Sequence, residues 1–370
     1  MRRSVRQCLL AALAPLGLSA CAGGGSSTSP PAPPAPIPPV VSAPDFSSVQ
    51  AEVDRHPVAD MALLVGDADG VLFSYSKSDF TAQTPVNIAS ATKLVTGLGV
   101  WSLVEGGALS EADAPQDWLD FWATEPTDPR SDITLSQLMS FTSGFNARPG
   151  AGCAGDGVSA LSACVEDIFA DGVDTAPGTA FSYGPEHMQV AALMARAASG
   201  QELRDIVRRD VLDASGAGAN AGFRSIFGDN PRYSAGMIAS VEDYGRVLQA
   251  LLAGQLAGER DAFLADRTAG TQTAFQPAAN SDGARDWHHG FGFWIECDAV
   301  PFQPSCNDGP TISSPGAFGF LPWVDFDAGY WAVIAMRQPN GSGTNPTAQS
   351  IDLEQILQPM IERALADAAP

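Results

Sequence analysis

The residues best suited to chemistry are Ser90 and Lys93, which form a Ser-x-x-Lys motif. The chain has 370 residues but only two lysines, and its other strongly basic side chains are all arginines. Arginine stays protonated in proteins, whereas a buried lysine can lose its proton and then accept one. A lysine one helical turn after a serine can therefore convert the hydroxyl into a nucleophile. The second lysine, Lys77, also follows a serine by three residues, so the context must distinguish the two matches.

The elements around the two motifs favour Ser90. Residues 61–75 predict two strands joined by a turn at residues 66–70, and Lys77 lies at the end of this hairpin. A three-residue offset in a strand places the two side chains on opposite faces. Residues 90–105 instead predict a helix with one apolar side, formed by Leu94, Leu98, Trp101 and Val104. Ser90 and Lys93 then share one face of its first turn, where the positive helix end favours an ionised oxygen.

The order of the remaining elements predicts an α+β fold. Further helices are predicted over residues 134–139, 185–198, 241–252 and 351–368, and further strands over residues 289–296, 316–326 and 329–337. Strands at both ends with helices between them indicate one antiparallel sheet, built from the N- and C-terminal segments and flanked by helices. A mostly helical domain is inserted at about residues 110–255. No internal repeat and no glycine-rich phosphate loop is present in the sequence.

The first 45 residues predict export rather than folded structure. Arg2, Arg3 and Arg6 precede an apolar run of 11 residues, which suits a signal peptide over residues 1–20 and is too short to span a bilayer. Cys21 stands where the lipobox of a bacterial lipoprotein places its lipidated cysteine. Residues 21–45 predict a Gly/Ser- and Pro-rich tether, so the folded domain is expected over residues 46–366. Ordinary cleavage near Ala20 or Ala22, giving a soluble secreted or periplasmic protein, is the alternative to an outer-membrane lipid anchor.

The remaining cysteines and the charge agree with an exported protein. Two local disulfides, Cys153–Cys164 and Cys297–Cys306, are the simplest pairing of the four cysteines in the domain. A zinc site is disfavoured because neither pair has Cys-x-x-Cys spacing and no histidine is close to the first pair. The formal net charge of −22 argues against nucleic acid and anionic membrane surfaces as partners.

Three further segments give the Ser90 motif a family context. The chain carries Pro-Gly-Thr-Ala-Phe-Ser-Tyr at residues 177–183, Leu-Met-Ser-Phe-Thr-Ser-Gly at 138–144 and Ser-Pro-Gly-Ala-Phe-Gly at 314–319. With Ser-x-x-Lys, this layout resembles the serine β-lactamase and penicillin-binding-protein superfamily, and within it the class C β-lactamases and family VIII esterases. The resemblance extends over roughly residues 46–366 and implies the β-lactamase-like fold.

The resemblance also implies a role for each matching residue. Ser90 is the expected nucleophile, and Lys93 and Tyr183 are the expected general bases that move its proton. The backbone N–H groups of Ser90 and Ala317 are expected to hold the oxyanion. Ser314 and Gly316 are expected to line the substrate site. No metal and no cofactor is expected.

Departures from the family pattern concern substrate recognition. Pro185 replaces the usual Asn of the Tyr-x-Asn motif, and Ser314 replaces a Lys or His that lies near the substrate carboxylate in β-lactamases and transpeptidases. A neutral ester or amide is therefore the expected substrate. Arg337 is a candidate replacement cation, and His187, one helical turn after Tyr183, is a candidate for the rim of the site.

These observations predict a serine hydrolase that forms an acyl-enzyme at Ser90, most readily a carboxylesterase acting on small neutral esters. A β-lactamase or D,D-peptidase acting on cell-wall-type substrates is one alternative, and a catalytically silent binding protein of the same fold is another. A Ser-His-Asp triad is disfavoured because the sequence contains no Gly-x-Ser-x-Gly elbow.

Overall fold

A computed structural model describes residues 43–145, 152–154, 159–224, 230–275, 285–338 and 345–368. Residues Ser42–Ala369 belong to one compact unit. The predicted signal peptide, Cys21 and most of the predicted tether lie outside the described residues. Among the described helices, none combines the length and apolar character that crossing a membrane requires.

The described chain begins with a helix and a strand hairpin, is mostly helical in the middle and returns to strands before a final helix. The helices are α1 (Ser47–Arg55), α2 (Thr92–Glu105), α3 (Leu135–Met139), α4 (Leu161–Asp171), α5 (Glu186–Ser199), α6 (Leu203–Val207), α7 (Val241–Leu252), α8 (Arg260–Leu264) and α9 (Pro346–Ala368). The strands are β1 (Asp60–Gly66), β2 (Val71–Lys77), β3 (Val86–Asn87), β4 (Ala180–Ser182), β5 (Gly222–Phe223), β6 (Met237–Ala239), β7 (Gln272–Phe275), β8 (His288–His289), β9 (Trp294–Ile295), β10 (Thr311–Ser313), β11 (Phe320–Asp325) and β12 (Tyr330–Arg337).

The main sheet confirms the predicted α+β architecture. Its seven strands have the order β2-β1-β12-β11-β10-β9-β8, and neighbouring strands are antiparallel. The hairpin from the N-terminal segment therefore continues a sheet whose other strands come from the C-terminal segment. β1 and β12 are buried along most of their length, which places the core on both sides of the sheet centre.

Two predicted strands are interrupted by turns. The segment predicted as one strand at residues 289–296 forms the hairpin of β8 and β9, closed by a hydrogen bond from Gly290 N–H to Phe293 O. The strand predicted at residues 316–326 begins only at Phe320, because Gly319 N–H bonds to Gly316 O and closes a turn. Gly319 has φ +78°, a conformation that favours glycine. β10, before this turn, was not predicted.

The helix that follows Ser90 is more deeply buried than predicted. Leu94, Leu98 and Trp101 are buried as expected, but most residues on the other sides of α2 are buried too. Two glycines explain this, since a Cβ atom at Gly97 would lie 2.2 Å from Phe291 O and one at Gly99 would lie 2.4 Å from Val207 Cγ2. The predicted helix is confirmed, but it is buried on more than the predicted side, so α2 is a central helix.

Helix α7 belongs with the sheet rather than with the predicted insertion. It packs on β1, β11 and β12. A Cβ atom at Gly245 would lie 2.7 Å from the Trp331 ring, so glycine at this position permits the close contact. The last helix of the predicted insertion, which is expected at about residues 110–255, thus packs on the main sheet.

The other lysine has a structural role. Lys77 Nζ donates hydrogen bonds to the carbonyl oxygens of Val53, Asp54 and His56 at 3.3, 3.2 and 2.6 Å. These carbonyls lie at the C-terminal end of α1, where a positive charge compensates the helix dipole. Lys77 thus binds the end of a helix, and Ser90 and Lys93 remain the candidate catalytic pair.

Both predicted disulfides are present. Cys153–Cys164 and Cys297–Cys306 have Cα–Cα distances of 5.2 and 5.5 Å, within the ordinary range for a disulfide. The first joins Cys153, in the segment before α4, to Cys164 on α4, and the second lies in the connection between β9 and β10.

Candidate active site

Ser90 lies in a tight turn that two buried hydroxyl groups hold in place. Residues Ala89–Ala91 form a single 3-10 turn that leads directly into α2. Ala89 has φ +47°, which is uncommon for a residue with a side chain and must be maintained by its surroundings. Ser314 Oγ donates to Ser90 O at 3.0 Å, and Tyr244 Oη donates to Ala91 O at 2.7 Å. Both donors lie more than 150 residues after Ser90 in the sequence, and their bonds fix the nucleophile turn.

Lys93 is buried directly beside the serine hydroxyl. Its Nζ is 3.1 Å from Ser90 Oγ and 2.9 Å from Ser234 O, and only 4% of the side chain is exposed. Burial, helped by the positive charge of Arg232, lowers the pKa of Lys93 to about 7, against an opposing effect of the Glu186 carboxylate. A large share of Lys93 is therefore neutral near pH 7 and can accept the proton of Ser90.

Tyr183 completes the predicted pair of proton carriers. Its ring stacks on Trp294 with a centroid distance of 5.5 Å, and Lys93 Nζ lies 4.4 Å from the Tyr183 ring centroid. Burial raises the pKa of Tyr183, and a hydrogen bond with Ser90 opposes only part of this rise. The phenol is therefore protonated at neutral pH. Of the two groups, Lys93 is the one whose pKa lies near neutrality.

The third motif packs against the nucleophile turn. Ser314 contacts Ser90 as described above, and a Cβ atom at Gly316 would lie 2.2 Å from Ile88 O. Ser314 is buried and uses its hydroxyl on the protein backbone, so it positions the Ser90 turn. The N–H groups of Ser314 and Gly316 bond to Pro322 O and Phe320 O. Ala317 is exposed in the following turn, and its role as an oxyanion donor stays a prediction.

We expect Ser314→Ala to lower kcat several-fold while changing KM little, because it removes a hydrogen bond that fixes the nucleophile turn without removing a substrate contact. Steady-state kinetics with a 4-nitrophenyl ester checks this result. A rise in KM at constant kcat would instead return Ser314 to the substrate-binding role.

The predicted rim residue His187 is not at the rim. It is fully buried, with Nδ1 2.8 Å from Ser143 Oγ and Nε2 2.9 Å from Ser182 O. Burial lowers its pKa to about 3, so the imidazole is neutral. His187 therefore joins two backbone segments beneath the site, and the substrate-binding prediction is wrong.

The predicted replacement cation Arg337 lies away from the nucleophile. Its guanidinium is bound by Asp60, with Nε 2.9 Å and Nη2 2.8 Å from the carboxylate. Ser314 bonds to Pro322 on β11, and Pro322 pairs with Val333 on β12. Arg337 is four residues further along that strand and two strands across, roughly 16 Å from Ser314. This geometry is incompatible with the proposed contact.

The sequence motifs missed the segment that holds Lys93 from the other side. Residues 230–236 supply Ser234 O to Lys93, and Tyr233 O accepts a hydrogen bond from Thr96 Oγ1 at 2.7 Å. The only sequence signal is the run of small and polar residues after Pro231, which many loops share. Arg232, which influences Lys93 electrostatically, comes from the same segment.

Comparison with known proteins assigns the chain to a family. The family model described as Beta-lactamase matches residues 47–355, and the protein belongs to this family. The fold and family are those of serine hydrolases, as the sequence predicted. No curated protein matches the sequence.

Several solved structures share the fold. A protein from Bacteroides dorei DSM 17855, described as a "putative beta-lactamase", is 25% identical with a TM-score of 0.71, and the match covers 86% of this chain and 99% of that one. EstCE1, described as a hydrolase with promiscuous acyltransferase activity, is 17% identical with a TM-score of 0.64, covering 82% and 95%. The octameric penicillin-binding protein homologue from Pyrococcus abyssi is 15% identical with a TM-score of 0.63, covering 85% and 76%.

Proposed function

We propose that this protein is a carboxylesterase that forms an acyl-enzyme at Ser90. The observation that carries the proposal is the 3.1 Å distance between Lys93 Nζ and Ser90 Oγ, with a Lys93 pKa of about 7. A neutral amine at this distance can accept the hydroxyl proton as Ser90 attacks an ester carbonyl.

Acylation follows from the positions of these groups. As the Ser90 Oγ–carbon bond forms, the hydroxyl proton moves to Lys93 Nζ and the carbonyl oxygen becomes an oxyanion. The N–H of Ser90 is the first proposed donor to that oxyanion. The carbon–oxygen bond to the alcohol then breaks, and the alcohol leaves with a proton supplied from Lys93 through the protonated Tyr183 hydroxyl.

Deacylation repeats the proton transfer with water. Lys93 is neutral again after the alcohol has left, and it accepts a proton as water attacks the acyl carbon. The Ser90 oxygen leaves with the returned proton, which releases the carboxylic acid and restores the starting state. Both half-reactions use the same base, so no further titrating group is required.

An ester substrate fits the residues at the two altered motifs. Ser314 carries no charge and donates its hydroxyl to Ser90 O, so this residue offers no charge to hold a carboxylate. Pro185 has no amide side chain to bind a peptide or lactam. The neighbour EstCE1, described as a hydrolase with promiscuous acyltransferase activity, supports acyl transfer as chemistry for this fold. The proposed substrate is therefore a small ester that is neutral on the β10 side.

We also propose that the enzyme is exported and held by lipidated Cys21. The two disulfides support export, because disulfides persist in oxidising compartments. The partners proposed are a small-molecule ester and, through the anchor alone, a membrane.

Active-site labelling tests the proposed function. The mature protein is treated with a fluorophosphonate probe and then assayed with 4-nitrophenyl butyrate. We expect one label per chain at Ser90, a burst of 4-nitrophenol and steady turnover, with Ser90→Ala losing all three. Ser74→Ala, in the other Ser-x-x-Lys match, is the control and should behave as wild type.

Other results would change the assignment. Efficient nitrocefin turnover without ester turnover would identify a β-lactamase. A stable penicillin adduct would identify a D,D-peptidase. The absence of label, burst and turnover would support a silent binding protein of the same fold.

A further inference from the structure

Arg232 differs from the arginines that form ion pairs elsewhere in the protein. Its side chain is exposed, and its Nε donates to Ala154 O at 2.9 Å. No carboxylate contacts it within the part of the chain that the structure describes. By contrast, the guanidinium of Arg337 is occupied by Asp60. The terminal nitrogens of Arg232 are therefore available to a ligand.

The chain on both sides of Arg232 is held rigidly. Asn230 Nδ2 donates to Cys153 O at 2.9 Å, beside the Cys153–Cys164 disulfide. Tyr233 N–H donates to Gln189 Oε1 at 2.9 Å, and Asn230 Oδ1 accepts from Gln189 Nε2 at 2.6 Å. The two contacts with Gln189 are buried and the contact with Cys153 is partly buried, so residues 230–234 form a fixed support for the Arg232 side chain.

The same support ends at the catalytic base. Ser234 O accepts a hydrogen bond from Lys93 Nζ at 2.9 Å. Arg232 O accepts from Gly236 N–H at 2.7 Å, so the segment folds tightly and keeps Arg232 within a few ångströms of Ser234. The positive charge of Arg232 is close enough to Lys93 to influence its proton affinity. Arg232 therefore lies two residues from the carbonyl that binds Lys93, on the segment that borders Ser90 and Lys93.

We propose that Arg232 binds a carboxylate carried by the substrate, so that the preferred substrates are esters with one anionic end. This inference rests on the proposed ester hydrolysis at Ser90 and names its substrate class. A guanidinium held through Nε still presents its Nη groups to a carboxylate. The part of the ester that faces β10 is then neutral, and the part that faces residues 230–234 carries the negative charge. Arg232 would supply the cation that Ser314 lacks, from a segment outside the three motifs.

The carboxylate can belong to the acyl or to the alcohol part of the ester, and matched substrates distinguish these cases. The acyl pair is mono-4-nitrophenyl adipate and the isosteric neutral 4-nitrophenyl 6-methylheptanoate. The alcohol pair is 4-carboxyphenyl butyrate and 4-methylphenyl butyrate. The measured quantity is the ratio of kcat/KM for the anionic ester to kcat/KM for its neutral partner.

We expect this ratio to exceed one in the wild type for one of the two pairs, and to fall about tenfold in Arg232→Gln. Raising the ionic strength should lower the wild-type ratio as well. The ratio isolates substrate binding, because any change in the pKa of Lys93 affects both members of a pair equally. Arg260→Gln removes the same charge from an exposed position on α8 and should leave the ratio unchanged.

A binding measurement keeps this inference separate from the proposed function. Adipate and 4-hydroxybenzoate are titrated calorimetrically into wild type, Ser90→Ala and Arg232→Gln. We expect binding of one anion to the first two and at least tenfold weaker binding to Arg232→Gln. Ester turnover with equal ratios in wild type and Arg232→Gln would overturn the role of Arg232 alone. Absence of turnover with Arg232-dependent anion binding would overturn only the esterase proposal.

Discussion

Lys93→Arg is expected to lower kcat/KM for ester hydrolysis by roughly 10²–10⁴-fold, the range that a general base contributes. Arginine keeps the positive charge but stays protonated, so it cannot accept the Ser90 proton. The wild-type lysine can do so because burial and Arg232 lower its pKa to about 7. The measurement is the rate of 4-nitrophenyl butyrate hydrolysis at pH 8, together with a thermal melt.

The pH dependence gives the same prediction a second readout. The active form of Lys93 is the neutral amine, so kcat/KM should rise about tenfold per pH unit below pH 7 and level off above it. In Lys93→Arg, the residual kcat/KM should be low and should no longer rise tenfold per pH unit below pH 7. A flat wild-type profile between pH 5 and pH 9 would contradict the role of Lys93.

The second lysine provides the matched control for this experiment. Lys77→Arg keeps a cation at the C-terminal end of α1 and should retain wild-type kinetics and melting temperature. If the larger arginine prevents folding, Lys93→Met is the substitute variant, because methionine is apolar and suits a buried position. Full activity in either folded Lys93 variant would show that another group accepts the Ser90 proton.

Tyr183→Phe is expected to lower kcat by about 100-fold or more. The substitution removes the hydroxyl that hydrogen-bonds with Ser90 and that passes the proton to the leaving alcohol. Phenylalanine keeps the ring that stacks on Trp294 and faces Lys93, so the fold should be retained. Steady-state kinetics with the same ester measures the loss, and a thermal melt confirms the fold.

The choice of leaving group sharpens this experiment. A 4-nitrophenolate leaves without needing a proton, whereas an alkoxide must be protonated as it leaves. We therefore expect Tyr183→Phe to impair methyl butyrate hydrolysis more than 4-nitrophenyl butyrate hydrolysis. Tyr75→Phe, on β2, is the control and should leave both rates unchanged. An equal loss for both esters would assign Tyr183 to activation of Ser90 alone.

Local patterns were sufficient to predict much of the molecule. The hairpin of β1 and β2 follows from two short apolar runs around a turn, where Asp67 Oδ1 accepts from the N–H groups of Asp69 and Gly70. The two disulfides join cysteines that are close in sequence, so few alternatives competed with them. These features depend on neighbours in the chain, which a sequence displays directly.

Predictions that depended on distant neighbours were the ones that failed. An apolar run was interpreted as one strand at residues 289–296 because the pattern does not reveal the turn between β8 and β9. His187 has the sequence position of a rim residue, yet Ser143 and Ser182 hold it in the core. Arg337 is near the third motif in sequence, but β12 carries it along the sheet to Asp60.

The two side chains that could react were identifiable from their spacing in the chain. Helical geometry brings residues three positions apart to one face, so the spacing of Ser90 and Lys93 was enough to predict their contact. The pKa of Lys93 and the groups that surround the pair depend instead on how distant segments pack in the folded protein. Burial of α2 lowers the pKa of Lys93, while Ser234, Arg232 and Ser314 reach the site from segments more than 130 residues away. A pKa and a binding surface depend on which distant groups exclude water or supply charge, and this information exists only once the chain has folded.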